Sequence, residues 1–150
     1  MMQLKKQIKV PKFENEYQQT LANIFFTHHW GNQKIKDLLA PYQVTQQQYS
    51  VLRILKSRYP SPSTINLIKA QTLDKMSDTS RIVERLIQKG FVDKTENSYD
   101  KRAVDIMISD KGLILLKKMD KNIDFTRLIS SNITSEEAVE LNRLLDKLRG

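Results

Sequence analysis

Residues 76–112 constrain the fold more than any other part of the chain. They begin with an amphipathic segment of helical period, which ends at Lys89-Gly90, a basic residue and a glycine of the kind that closes helices. Two short segments follow, 91–96 and 103–108, with a polar tip over residues 97–102 between them. The second segment has apolar residues at every other position, as does a strand that packs on one face. This order predicts a helix followed by a β-hairpin, as in a winged helix-turn-helix.

Helical periodicity predicts five further helices around this segment. The first spans residues 13–39, the second opens at Thr45 and stops before Pro60, and the third covers roughly 64–71. The third is expected to bury its apolar residues Ile65, Leu67 and Ile68. A fifth helix follows the hairpin through Ile123 towards Leu128, and a sixth contains the leucines of 141–148.

Polar residues at the helix starts predict how these helices are capped. Capping boxes are expected where a threonine precedes a glutamine or glutamate by three positions, at Thr45 with Gln48 and at Thr134 with Glu137. Single N-caps are expected at Ser63, Ser77 and Ser109. Together the elements predict a mainly α protein with a small β wing. It has six helices, the hairpin lies between the fourth and the fifth, and one domain covers residues 1–150.

The charge of the chain favours a polyanionic partner. The formal net charge is +8 and the isoelectric point is near 9.7, which suits nucleic acid or an acidic membrane surface. Residues 63–112 hold 9 basic and 8 acidic side chains, so the excess is not concentrated in the helix and hairpin. The charge alone therefore does not identify the function, and the prediction depends on the order of the motifs.

Several classes of protein are disfavoured. Without cysteine there are no disulfides or thiolate metal sites, and the composition suits a reducing cytoplasm. No apolar run approaches the length of a membrane span. No glycine-rich phosphate loop, nucleophile motif or acid–base pair indicates an enzyme or a cofactor. The adjacent His28 and His29 point about 100° apart on a helix, so they do not predict a metal site.

The chain resembles the MarR (multiple antibiotic resistance regulator) family over nearly its whole length. Four short stretches occur in the family's order and spacing: Ser77-Asp78-Thr79-Ser80-Arg81-Ile82-Val83-Glu84-Arg85-Leu86, Lys89-Gly90-Phe91-Val92, Asp100-Lys101-Arg102-Ala103-Val104 and Ser109-Asp110-Lys111-Gly112. The resemblance implies a homodimer with a body from the first, fifth and sixth helices, over residues 1–44 and 113–150. It also implies a winged-helix part over residues 45–112 that binds double-stranded DNA at a pseudo-palindromic site.

The same resemblance places the fourth helix in the major groove. Arg102 would reach into the minor groove from the wing, together with Lys101, and Asp100 would brace Arg102 or Arg81 by an ion pair. Narrow minor grooves attract such arginines through their negative potential.

The start of the fourth helix supplies further candidate contacts to DNA. Ser77, Thr79 and Ser80 are expected at its exposed first turn, where hydroxyls reach base edges or phosphates, with capping favoured for Ser77 and DNA contact for Thr79 and Ser80. Asp78 either accepts a bond from a cytosine amino group or caps the helix. Arg81 and Arg85 share a helix face and either meet phosphates or form structural ion pairs, Arg81 with Glu84 and Arg85 with a wing carboxylate.

A ligand pocket is a further possibility. Phe25, Phe26, His28, Trp30 and Tyr49 either line an apolar pocket for a small aromatic effector or are simply core residues. The main hypothesis is a site-specific DNA-binding transcription regulator of the cytoplasm, a repressor released by a small ligand. The alternative is a winged-helix interaction module that binds a protein or ligand without site-specific DNA binding.

Overall fold

The computed structural model describes residues 12–73, 77–97 and 104–150, in two compact units that divide between Pro41 and Tyr42. In the first unit, helix α1 spans Glu16–Leu39 and continues through Gly31. It starts three residues later than predicted because Asn15 caps it, accepting a bond from the Gln18 N–H. A 3₁₀ turn, Ala40–Tyr42, follows α1.

The second unit contains the predicted order of helices and hairpin. Its elements are α2 (Gln46–Arg58), α3 (Ile65–Gln71), α4 (Thr79–Gln88), β1 (Val92–Glu96), β2 (Val104–Ile108), α5 (Asp110–Asn122), a single helical turn (Arg127–Ser130) and α6 (Ser135–Arg149). The mainly α fold with a small β wing is confirmed. Both capping boxes form as expected, at the starts of α2 and α6.

Helix α2 organises the core of the second unit. Val51, Leu52 and Leu55 are buried along one of its faces, and α2 packs against α3, α4, α5 and β2. The other elements contribute buried residues at helical or strand spacing: Ile68, Val83, Leu86, Val92, Ile106, Ile108, Leu116 and Met119. These elements thus form one hydrophobic cluster, from which the exposed side chains of α4 and the hairpin project.

The hairpin is antiparallel, with Val92 opposite Ile108 and Glu96 opposite Val104. Ser63 adds a one-residue bridge on the other side of β2, where its backbone N–H and C=O both bond Ile106 at 2.8 Å. The N-cap predicted at Ser63 is therefore wrong. Thr64 caps α3, accepting a bond from the Leu67 N–H.

Two other predictions need correction. In α3 only Ile68 is fully buried, while Leu67 is 42% exposed, because a helix of seven residues presents a narrow inner face. Helix α5 ends at Asn122, where Ile123 turns to extended backbone, so Leu128 lies in the separate helical turn. Among the described residues, no helix is long and apolar enough to cross a membrane.

Candidate nucleic-acid interface

Asp78, and not Ser77, is the N-cap of α4. The Asp78 carboxylate accepts a hydrogen bond from the backbone N–H of Arg81 at 3.1 Å. It thereby satisfies one orphan donor and places negative charge at the positive end of the helix. Of the two roles considered for Asp78, capping is confirmed. The N-cap predicted at Ser77 is wrong, since Ser77 lies one residue before the cap and is half-buried.

Thr79 does not belong to an exposed first turn. Its side chain is only 3% exposed and faces the core side of α4 with Val83 and Leu86. The predicted exposure of Thr79 is wrong because the stripe i, i+4, i+7 that contains Val83 and Leu86 starts at Thr79. The Thr79 side chain is therefore not accessible for contact with DNA.

The opposite side of α4 is a continuous polar stripe. Its exposed residues are Ser80, Arg81, Glu84, Arg85 and Gln88. Within the described parts of the chain, neither Arg81 nor Arg85 forms an ion pair. The ion pair that we considered between Arg81 and Glu84 is thus not formed, and both guanidinium groups face solvent. We call these five residues the α4 stripe.

The motifs Lys89-Gly90-Phe91-Val92 and Ser109-Asp110-Lys111-Gly112 join the end of α4 to the base of the wing. Ser109 Oγ donates to the Gly90 carbonyl at 2.7 Å and accepts from the Gly112 N–H at 3.1 Å, so it also caps α5. Lys111 Nζ donates to the Lys89 carbonyl at 2.8 Å and lies 5.0 Å from the Phe91 ring centre. Gly90 has φ of 73°, which glycine adopts without strain.

Lys89, at the junction of α4 and the wing, also bonds to the segment before α2 and to its first turn. Its Nζ donates to the Gln43 carbonyl at 2.6 Å and to Gln48 Oε1 at 3.0 Å. The sequence identifies Lys89 as the basic end of a helix and as part of a family motif, with no partner for its side chain. These side-chain bonds join positions more than forty residues apart, so local spacing gives no signal for them.

The wing is described up to the start of its tip. Asn97 Nδ2 donates to Asp105 Oδ1 at 2.8 Å, a diagonal side-chain bond across the last backbone pair of the hairpin. The predicted tip residues Asp100, Lys101 and Arg102 lie outside the described residues.

The predicted pocket residues lie in both units. In α1, Phe25 is 65% exposed, Trp30 is half-buried and His28 Nε2 is 2.9 Å from Asn32 Nδ2. In α2, the Tyr49 ring packs against Phe125 with centroids 5.4 Å apart. The pocket stays a prediction.

A charged cluster next to Tyr49 was not foreseen. Asp120 of α5 accepts bonds from Arg53 at 2.6 Å and from Lys56 at 2.8 Å, both on α2. The hydrogen bond from Lys56, supported by the charge of Arg53, lowers the pKa of Asp120. The Arg53 guanidinium also lies 5.8 Å from the Tyr49 ring centre, and burial raises the pKa of Tyr49.

Comparison with known proteins agrees with this geometry. The MarR family model matches residues 44–104, which contain α2, α3, α4 and the wing up to the first residue of β2. The multiple antibiotic resistance protein MarR of Escherichia coli (strain K12) is 26% identical over 126 residues, 80% of this chain and 86% of that protein.

Two solved structures share the fold. A mutant of E. coli MarR complexed with operator DNA has a TM-score of 0.71 at 23% identity and covers 90% of this chain and 99% of its own. An organohalide-sensing transcriptional regulator in its 2,4-dichlorophenol-bound form has a TM-score of 0.74 at 22% identity, covering 93% and 86%. The family model over residues 44–104 and the E. coli relative thus show that the chain is similar to MarR transcription regulators, and the solved structures show that it shares their fold.

Proposed function

We propose that this protein is a homodimeric transcription regulator that binds duplex DNA site-specifically through α4 and the wing. The observation that carries the proposal is the α4 stripe. It holds two arginines without an ion pair among the described residues, on a helix whose other face is fixed in the core. Unpaired cations on a rigid helix suit phosphates, and the hydroxyl of Ser80 suits a base edge.

The wing completes this interface. Its base is held to the end of α4 by Ser109 and Lys111, so the two elements dock as one surface. Lys101 and Arg102 would extend it into the minor groove, with Asp100 bracing Arg102. The operator complex of the E. coli relative supports this docking, because the two chains share a fold over most of their lengths.

Dimerisation follows from apolar side chains that each unit leaves uncovered. Tyr17, Leu21 and Phe25 are exposed in α1, and Leu141, Leu144 and Leu148 are about half exposed in α6. Such patches mark interaction surfaces, and a two-fold dimer would read a pseudo-palindrome. A regulator that binds DNA in this way would work in the cytoplasm.

We further propose that the regulator is a repressor that a small aromatic ligand releases. This proposal is supported by the organohalide-sensing regulator, which has the same fold and whose structure contains bound 2,4-dichlorophenol. The residues predicted for this ligand are Phe25, His28 and Trp30 of α1 and Tyr49 of α2. Equilibrium binding of 2,4-dichlorophenol, followed by tryptophan fluorescence, tests this part separately, since Trp30 is the only tryptophan of the chain.

Selection of bound duplexes from a random library tests the DNA-binding proposal. We expect one enriched sequence with two-fold symmetry. The affinity of the protein for that sequence should fall steeply with salt. The logarithm of the binding constant should decrease with the logarithm of the salt concentration, with a slope of roughly −0.9 per phosphate contact. The near balance of charge over residues 63–112 favours the alternative, a module that binds a protein partner. Absence of an enriched sequence together with a flat salt response would support that alternative.

A further inference from the structure

The α4 stripe contains one carboxylate, Glu84, between its two arginines. Glu84 is exposed and forms no hydrogen bond or ion pair with any residue that the structure describes. An acid in this place opposes binding to a polyanion, since phosphate repels it. A DNA-binding helix therefore loses non-specific affinity by carrying it.

Geometry explains why the arginines do not neutralise Glu84. Arg81 precedes it by three positions, and a basic residue before an acidic one is the less favourable order for a helical ion pair. Arg85 is its direct neighbour, and adjacent residues on a helix do not face each other. The carboxylate is thus left as an available hydrogen-bond acceptor.

The direction of the side chain brings the carboxylate near the first turn of α4. Helical side chains lean towards the N-terminus of the helix, so Glu84 covers the surface beside Ser80. The N-terminal half of a recognition helix is the part that meets base edges. Asp78, the other acid of this helix start, is already used by the Arg81 N–H, so Glu84 is the carboxylate that remains.

We propose that Glu84 is a specificity-determining residue whose carboxylate accepts a hydrogen bond from a cytosine amino group in the major groove. This inference rests on the proposed DNA-binding function. In the major groove only the N4 amino group of cytosine and the N6 amino group of adenine donate, and acidic side chains pair with cytosine. Where the groove offers no donor, the charge repels the duplex. Glu84 thus links affinity to the presence of a C·G pair in each half-site.

The test compares the unaltered protein with Glu84→Gln and with a matched control, Glu96→Gln. Glu96 is an exposed acid of β1, so both variants lose one negative charge in the DNA-binding half. Each protein selects duplexes from a random library. Each is then titrated at fixed salt against the selected duplex, the duplex with A·T at the symmetric position, and an unrelated duplex.

The unaltered protein should enrich C·G at one position of each half-site. Glu84→Gln should move the preference there towards A·T, because glutamine pairs with adenine, and should change the ratio of the two affinities about tenfold. It should also bind unrelated duplex more tightly. Glu96→Gln should leave the preference unchanged.

Two outcomes would overturn the proposal. Identical preferences in all three proteins would make Glu84 a solvated acid. Equal weakening of Glu84→Gln on every duplex would make it a brace for another side chain. Failure of the unaltered protein to enrich any sequence would instead refute the proposed function itself, so the two failures are distinguishable.

Discussion

Gly112 is the residue with the least room for a side chain. A Cβ built at this position would lie 2.7 Å from Ile108 Cγ1 and closer still to the Phe91 carbonyl oxygen. The backbone of α5 therefore touches the base of the wing directly, where Ser109 and Lys111 make their bonds. The glycine of the motif Ser109-Asp110-Lys111-Gly112 is thus explained by close approach of backbone, since no strained φ is involved.

We expect Gly112→Ala to lower the free energy of unfolding by roughly 1–3 kcal/mol, because the added methyl group has to displace backbone at the base of the wing. Gly31→Ala is the matched control. It lies within α1, where a Cβ meets no described atom within 4 Å, and alanine should stabilise that helix by about 1 kcal/mol. Urea denaturation measures both. Equal stabilisation by the two substitutions would contradict the close contact at Gly112.

Thr79 has a buried hydroxyl without a hydrogen-bond partner in the described chain. We expect Thr79→Val to raise the free energy of unfolding by about 1 kcal/mol, since it removes an unsatisfied polar group and keeps the shape. Thr79→Ser, which keeps the hydroxyl and loses the methyl group, should destabilise. Binding to duplex DNA should not change in Thr79→Val. A loss of binding without a loss of stability would return Thr79 to the interface.

Among the elements, α2 and α5 are joined by more than apolar packing. Asp120 bonds Arg53 and Lys56, which lie three positions apart on one face of α2. The side chains are 39–45% exposed, so solvent screening limits the contribution of the cluster to no more than about 1 kcal/mol. The cluster adds a polar contact between α2 and α5 beside their apolar packing.

Asp120→Asn should therefore reduce stability slightly near neutral pH. The folded protein holds the pKa of Asp120 below its unfolded value of about 4, so this stabilisation is present above that pH and is lost as pH falls through the folded pKa. We expect the unfolding free energies of the two proteins to converge in acid. A difference that persisted at a pH low enough to protonate this carboxyl group in both the folded and the unfolded protein would show that the substitution acts otherwise than through the charge.

The sequence predicted well those elements whose patterns depend on residues close together in the chain. Capping boxes at Thr45 and Thr134, the glycine stop at Gly90 and the alternation in β2 all depend on residues a few positions apart. The cluster of Asp120 and the bonds of Lys89 join distant positions, so no spacing revealed them. At the start of α4, Ser77 and Asp78 are both good N-caps. The sequence alone does not distinguish them, and the structure shows Asp78 as the cap.

For the whole molecule, the proposed function depends on two copies. A single α4 stripe reads one half-site, and coupling two of them multiplies the affinity for a palindrome by about 10²–10⁴ without any new contact to DNA. The apolar side chains that hold the copies together should therefore control DNA binding from a distance.

Leu144→Glu in α6 tests this dependence. Leu144 belongs to a stripe with Leu141, Leu145 and Leu148, and a glutamate there puts charge into the proposed interface of both copies. If the two Leu144 side chains of the dimer together lose about 3 kcal/mol of dimerisation free energy, the dimer Kd rises by roughly a hundredfold. Sedimentation equilibrium should show a shift from twice the 17.5 kDa chain mass towards the monomer, and operator affinity should fall with it.

The matched control is Asn142→Glu, about 100° round the helix from Leu141. It adds the same charge outside the stripe and should leave both the mass and the operator affinity unchanged. If Leu144→Glu remained a dimer with full operator affinity, α6 would not form the interface, and the exposed residues Tyr17, Leu21 and Phe25 of α1 would be the surface to vary next.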